Sequence, residues 1–549
     1  MSLWQIAPKI PPSLHYHGLD KITSQLLYNR GVMPDDAKSF LLADTYYDSM
    51  LFTDMGKVVE RIRLAVYSSE KILVYGDYDV DGICAVSILW DYLYTKMHAN
   101  VIPFIPSRFN DGYGLSQKQV DKFISDGTSL IITVDCGITA VSVAEHIKKL
   151  GIDLIVTDHH HPKDELPDCF AIIHPQRGYP FQEITGSAVA YKLIQAISGN
   201  LDTTEYMDLV ALSTICDIVD LKSENRSFVK SGLKVINSKK RVGIAKLMEI
   251  SNIDFVDVYH IGYILGPKIN ASGRIYDAFD GLRLLSTKKE EYAHLLAVKL
   301  DNLNKERKKL LEDTLSSIIP KIDSSLDFNL VVSDDWHEGI IGLVAGRITE
   351  VSNRPSIVLT KKTKDLYIGS ARSVNGFNIV NYLEKNSSLL EGFGGHTAAA
   401  GLQIKQKNIP ILKKSLETDA SQFFKNVTKE KTINIDDVVS MSNVNESLYD
   451  EINTLSPFGK GNPIPVFLMQ GVKILSAYNV GKSNEFLKMK LTDKDGDSIF
   501  DAIWFTPNLT TDILSTLAYI DIVFSLNKNV WGNVSKIEFR IIDLKPSVF

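Results

Sequence analysis

Apolar runs alternate with amphipathic stretches through the first half of the chain. KILVYG (71–76), ANVIPFIP (99–106), SLIITVD (129–135), IDLIVTD (152–158) and FAIIHP (170–175) carry few polar residues, as buried strands do, and helical patterns such as AVSVAEHIKKLG (140–151) separate them. Short buried strands joined by helices predict a doubly wound parallel sheet over about 71–214. From about 287 to 319 the periodicity changes to helical, with dense mixed charge, and predicts one long, partly exposed helix connecting two lobes across a cleft. A second α/β region follows through LVVSDDWHEGIIGLVAGRITE, IVLT, YIGSARSV and EGFGGHTAAAGLQI. After about Lys429 the pattern turns to short alternating strands with turn signals, predicting a small β barrel of the OB type.

The apolar pattern also locates candidate chemistry. Ligand sites in parallel α/β sheets lie at the carboxyl ends of the strands, and there the chain reads GDYDVDG with Asp77, Asp79 and Asp81, TVDCG with Asp135, and TDHHHP with Asp158, His159, His160 and His161. If the backbone stays extended after Gly76, period-two geometry points all three aspartates one way, and their mutual repulsion calls for a cation. Oxygen-rich donors suit Mg2+ or Mn2+ better than zinc. A lone D-x-D is more often a solvated turn; three strand-end clusters on one rim point to a site. In LVALSTICDIVDL a helix-like run ends in Asp217 and Asp220, and spacing alone does not choose between them.

Composition narrows the class. At 549 residues the chain exceeds a single core, and a net charge of −6 speaks against coating nucleic acid through bulk positive charge, although acidic metal clusters can mask a basic groove. Cys84, Cys136, Cys169 and Cys216 form no C-x-x-C pair, which fits a reducing cytoplasm, and no long apolar run or basic-then-apolar leader anchors or exports the protein.

The motifs GDYDVDG, VDCG, DHH and CDIVD, in that order, resemble those of the DHH phosphoesterase superfamily. NRGVMPDDAKSFL, PSRFNDGYGL and GPKINASGRIYDA resemble more narrowly the RecJ family within it, metal-dependent exonucleases that cut single-stranded DNA in the 5′ to 3′ direction. The resemblance implies an N-terminal helical segment (1–70) packed on a DHH domain (71–240), a helical connector (241–325), a DHH-associated substrate-binding domain (326–428) and an OB-type barrel (429–549). It implies two divalent cations, Mn2+ or Mg2+, on Asp79, Asp81, Asp135, His159 and Asp217, with Asp135 the bridge and Asp77, in the same acidic motif, ranked last among the direct ligands. His160 then acts at the scissile phosphate, with Asp158 orienting a histidine. Arg108, Tyr113, Asn270, Arg274, Arg347, Ser370, Arg372, Gly395 and His396 are the expected substrate contacts. Release of 5′-mononucleotides in DNA repair and recombination is the implied activity, for a cytoplasmic monomer with single-strand-binding protein and a helicase as partners. Two alternatives are a phosphoesterase of short oligonucleotides or cyclic dinucleotides, whose relatives are typically shorter, and a non-catalytic strand-binding replication factor, which should have lost ligands. In the barrel Lys460, Lys482, Lys488, Trp504, Phe505 and Trp531 are available to a strand, though each aromatic taken alone is better suited to the core than to a platform.

Overall fold

The computed structural model describes residues 2–108, 114–199, 201–323, 325–425, 432–494, 496, 498–507, 509–531 and 534–547. They form two compact units, one of residues 1–59, 173–237 and 432–549, the other of residues 60–172 and 238–431.

The second unit holds the parallel sheet. Its strand order is Val101–Phe104, Lys71–Tyr75, Thr128–Val134, Asp153–Thr157 and Ala171–Ile173, with the first four paired in parallel. Ile72, Leu73, Val74 and Tyr75 are wholly buried, because helices cover both faces of the sheet, and a strand with no solvent face reads as an unbroken apolar run. The order has one consequence for function. The chain leaves Lys71–Tyr75 toward one edge and Thr128–Val134 toward the other, so a crevice opens between the carboxyl ends of these two neighbours, at the topological switch point.

A helical stretch continues this unit and ends in Glu290–Ile318, a helix of 29 residues and about 43 Å. Beyond it, strands Leu390–His396, Ala399–Lys405, Leu366–Arg372, Ser356–Lys361 and Asn329–Ser333 form a second sheet in that order. Only the pairing of the last two is parallel. Helix Ile341–Ser352 packs over it through Val344, Ala345 and Ile348.

In the first unit, strands Phe467–Val480, Phe486–Thr492, Ile499–Trp504, Val534–Pro546 and Ile520–Trp531 pair in that order, and Phe467–Val480 also pairs with Ile520–Trp531, which closes a five-stranded barrel. Its interior is Phe467, Met489, Trp504, Phe524 and Phe539, so Trp504 belongs to the core. Leu3–Ile6, inside the segment expected to be helical, is a strand in parallel register with Thr432–Ile435. No helix among the described residues is long and apolar enough to cross a membrane.

Candidate metal centre

The aspartate segment is a turn, which overturns the expectation of an extended backbone. Strand Lys71–Tyr75 stops short of it and helix Val80–Asp91 begins within it, with Asp79 as N-cap, accepting from the N–H groups of Asp81 (2.9 Å) and Gly82 (3.1 Å). A Cβ at Gly82 would stand 2.4 Å from the carbonyl oxygen of Asp77, so only glycine lets the chain fold back this tightly. Convergence therefore comes from a strand-to-helix turn at the switch point, and period-two alternation has no part in it. Ligand atoms of Asp77, Asp79 and Asp135 all lie within 4.8 Å of one another, as do those of Asp135, His159 and His160. His159 Nε2 is 3.1 Å from Asp135 Oδ1 and 3.5 Å from Asp81 Oδ2. Asp217 belongs to the other unit, where it caps the carboxyl end of helix Met207–Cys216, while Asp220 lies beside Lys460 (3.5 Å) and Lys222 (3.8 Å).

The electrostatics of this cluster are those of a cation site. Burial, and then Asp79, push the Asp77 carboxyl up to about 7. Asp135 is raised well above the carboxylate range by burial and by Asp81, Asp79 and Asp77. Its backbone is left-handed, with φ of 60°, a conformation that costs most residues energy and is tolerated by aspartate. Its Oδ1 is buried and receives no hydrogen bond. Oxygen donors held this close, one of them buried without a donor, fit hard divalent ions.

Asp158 is occupied differently. Oδ1 accepts from the N–H groups of His159 (2.7 Å) and His160 (3.1 Å) and pairs with His160 Nδ1 (2.8 Å), while Oδ2 accepts from Ile138 N–H (2.9 Å). Burial works to raise its pKa, yet the bonds to His160 and the nearby imidazoles outweigh it and hold Asp158 at about 2. Burial likewise works to lower His160, and Asp158 with Asp77 and Asp79 prevail and raise it to about 9. Asp158 thus orients the histidine turn and favours the protonated form of His160.

A second wall of the same unit faces this cluster. The rings of His160 and His396 lie 6.3 Å apart and nearly parallel. His396 pairs with Ala399, which pairs with Arg372, and Gly401 lies between Gly394 and Ser370 in the same register. Directly opposed residues share a face, so His396, Arg372 and Ser370 line one side of three adjacent strands. Arg372 Nη1 donates to Ser370 Oγ (3.2 Å), and Gly395 sits across from Ala400 in the edge strand. Asn270 Oδ1 accepts from Val80 N–H (3.1 Å), tying helix Gly266–Ile275 to the aspartate turn. Arg274, on that helix, is lowered to about 9 by enclosure and then by Arg108, Arg307 and Arg372. Arg108, Arg307 and Arg372 thus act on the charge of Arg274, and guanidiniums gathered in this way suit an anion. The Arg108 guanidinium also stacks on the Tyr78 ring, 4.3 Å from its centroid.

Most of the expected site residues in this unit come together; Arg347 does not, being exposed on helix Ile341–Ser352 and paired with Glu350 at 2.6 Å. Tyr113 lies outside the described residues. Sequence reasoning missed Arg307, concealed in the charge run of the long helix, and Tyr78, which reads there as a mere spacer between aspartates. It also left the WHEGIIG segment without a role. Gly339 there approaches the helix bearing Arg274 so closely that a Cβ would fall 1.8 Å from the Arg274 carbonyl oxygen.

Comparison with known proteins accounts for this arrangement. Residues 71–214 match the DHH family, N-terminal domain; residues 327–426 match the DHHA1 domain; residues 435–543 match the RecJ OB domain. A protein of Bacillus subtilis named single-stranded-DNA-specific exonuclease RecJ is 35% identical over 541 residues, covering 96% of this chain and 68% of its own. One of the same name in Haemophilus influenzae is 30% identical, covering 81% and 82%. The crystal structure of RecJ in complex with Mn2+ from Thermus thermophilus superposes with a TM-score of 0.87 at 26% identity, covering 99% of this chain and 79% of that one.

Proposed function

The chain belongs to the RecJ family of single-stranded-DNA-specific exonucleases, and on that footing we propose that it removes 5′-mononucleotides from the 5′ end of single-stranded DNA with two divalent cations, Mn2+ or Mg2+. The observation that carries the reading is the cluster of buried Asp77, Asp81 and Asp135 with half-buried Asp79 and His159 at the switch point, facing the guanidiniums of Arg108, Arg274 and Arg372. Asp135, common to two ligand groups, is the shared ligand, and the family resemblance adds Asp217 to the expected set. Bound by these residues, divalent cations would supply a water of lowered pKa and a counter-charge for the phosphate. The residues of the chain do the rest. Arg108, Arg274 and Arg372, with the Ser370 hydroxyl, grip phosphate oxygens and hold the strand against the carboxylates. His160, held in place by Asp158, turns its ring toward the scissile phosphate and donates to the negative charge that grows there. His396 closes the opposite side. In the cell we expect a cytoplasmic monomer in DNA repair and recombination, working with a helicase and a single-strand-binding protein.

The test compares 5′-labelled single-stranded and duplex DNA, with Mn2+, Mg2+ or EDTA. Mononucleotide release from single strands only, and only with metal, is expected. Turnover of dinucleotides alone would favour a small-substrate phosphoesterase, and absence of metal-dependent turnover a non-catalytic strand binder. Asp135→Ala should lower the rate by a thousandfold or more, on the order of 4 kcal/mol, while strand binding persists; normal cleavage by this variant would refute the assigned site.

A further inference from the structure

One exposed aromatic pair is unused by the mechanism above. Residues 258–275 are continuously helical, as Val258–His260, a π-helical Ile261–Leu265 and Gly266–Ile275. Their buried face is Ile261, Leu265 and Ile269. On the other side Tyr259, Tyr263, Pro267, Asn270 and Arg274 follow at steps of three and four, which places them in one stripe along the helix. The lower end of the stripe is already assigned: Asn270 bonds the aspartate turn and Arg274 sits in the guanidinium cluster. At its upper end Tyr259 and Tyr263 are 59% and 69% exposed, and their rings stack on each other, with centroids 5.0 Å apart and planes 26° from parallel.

Two exposed rings stacked on each other make an apolar face open to a partner. Their continuity with the phosphate-gripping end of the same helix face says which partner. We propose that Tyr259 and Tyr263 form a stacking platform for the bases of the single strand as it approaches the metal centre, an inference that rests on the exonuclease reading above. Every base offers a π face, so such a platform is indifferent to sequence. Bases in a duplex already spend their faces on each other, so it also favours unpaired strands. Eleven residues separate Tyr263 from Arg274, about 16 Å of helix, which corresponds to roughly five nucleotides at a stacked rise of 3.4 Å. The platform therefore acts on strands longer than that and is out of reach of a dinucleotide. The adjacent carboxylate of Asp257 is occupied by His260 at 2.6 Å.

The test measures Mn2+-dependent kinetics of the full chain on a 5′-phosphorylated single strand of about twelve nucleotides and on a 5′-phosphorylated dinucleotide. Tyr259→Ala with Tyr263→Ala should raise KM for the longer strand by fivefold or more per lost stack, leave its kcat within twofold, and leave dinucleotide hydrolysis unchanged. Tyr→Phe at both positions keeps the rings and should restore KM. Equal KM for the unaltered chain and the alanine variant would overturn the platform and leave the rings as a protein-docking surface. Loss on the dinucleotide as well would also overturn it, since the tyrosines would then be supporting the fold. If the unaltered chain cuts no single strand at all, it is the exonuclease reading that fails.

Discussion

Gly339→Ala isolates the link between the two walls of the cleft. The added Cβ would stand 1.8 Å from the carbonyl oxygen of Arg274, 2.9 Å from its carbonyl carbon and 3.1 Å from His337 Cε1. Ordinary van der Waals contact begins near 3.4 Å, and the nearest neighbours are backbone atoms, which have no rotamer to escape into. Segment and helix must separate by roughly 1.6 Å, an overpacking cost of about 1–3 kcal/mol. The structure concentrates the consequence on one residue. Arg274 lies at the end of helix Gly266–Ile275, so displacing its carbonyl displaces the guanidinium from the cluster with Arg108 and Arg372. A misplacement of about 1 Å costs on the order of a hundredfold in rate. The assay is kcat/KM for a 5′-phosphorylated single strand with saturating Mn2+, with Mn2+ affinity measured by calorimetry alongside. The rate should fall about a hundredfold while Mn2+ affinity falls by less, because the carboxylates stand on other elements and meet this helix through the Asn270 bond to Val80. Gly346→Ala on helix Ile341–Ser352 is the control: nothing lies within 4 Å of its Cβ, and alanine should stabilise the helix by up to about 1 kcal/mol. A Gly339→Ala enzyme within twofold of the unaltered rate would refute the reasoning.

Two further outcomes concern pH. Metal ligands must be deprotonated, and the metal-free Asp77 carboxyl is raised to about 7, so below that pH a cation has to displace a proton. Apparent Mn2+ affinity should rise with pH through about 7, and calorimetry in buffers of different ionisation heat should show protons released at about pH 6; the absence of release would contradict the assigned electrostatics. Away from the site, the Arg61 guanidinium grips both oxygens of Glu70 (3.1 and 2.7 Å) and holds its carboxyl below the usual value. A depressed folded pKa stabilises above the unfolded value and is lost as pH falls through the folded one. Glu70→Gln should cost about 0.5–1 kcal/mol in urea unfolding at neutral pH and nothing at strongly acid pH; a pH-independent difference would contradict this.

How far the chain could be read follows from where its information is local. Strands 71–75, 128–134 and 153–157 were legible because burial on both faces forces an apolar run, and their carboxyl-end clusters were legible because ligand sites follow strand ends in this architecture. The long helix and the barrel strands showed in their periodicity. The same logic failed where neighbours in space decide. Alternation suggested an extended Asp77–Asp79–Asp81, whereas packing placed the helix start inside the motif and turned the carboxylates around Gly82. Arg347 and Arg307 are alike as residues; one is spent on Glu350 at a surface and the other stands close enough to Arg274 to lower its pKa.

By itself, then, the sequence determined the central strands, the long helix and the barrel strands and which residue types stand at their ends, since propensity and burial pattern are written over a few residues at a time. It also carried the order of motifs on which the family resemblance rests. Only the tertiary structure decided that the strand ending before Asp77 and the strand ending before Asp135 are neighbours at a switch point, that the guanidiniums of Arg108, Arg274, Arg307 and Arg372 gather opposite them, and that Tyr259 and Tyr263 continue the same face. Convergence of distant residues depends on strand order and on close backbone approaches such as that at Gly339, and neither leaves a periodic trace along the chain.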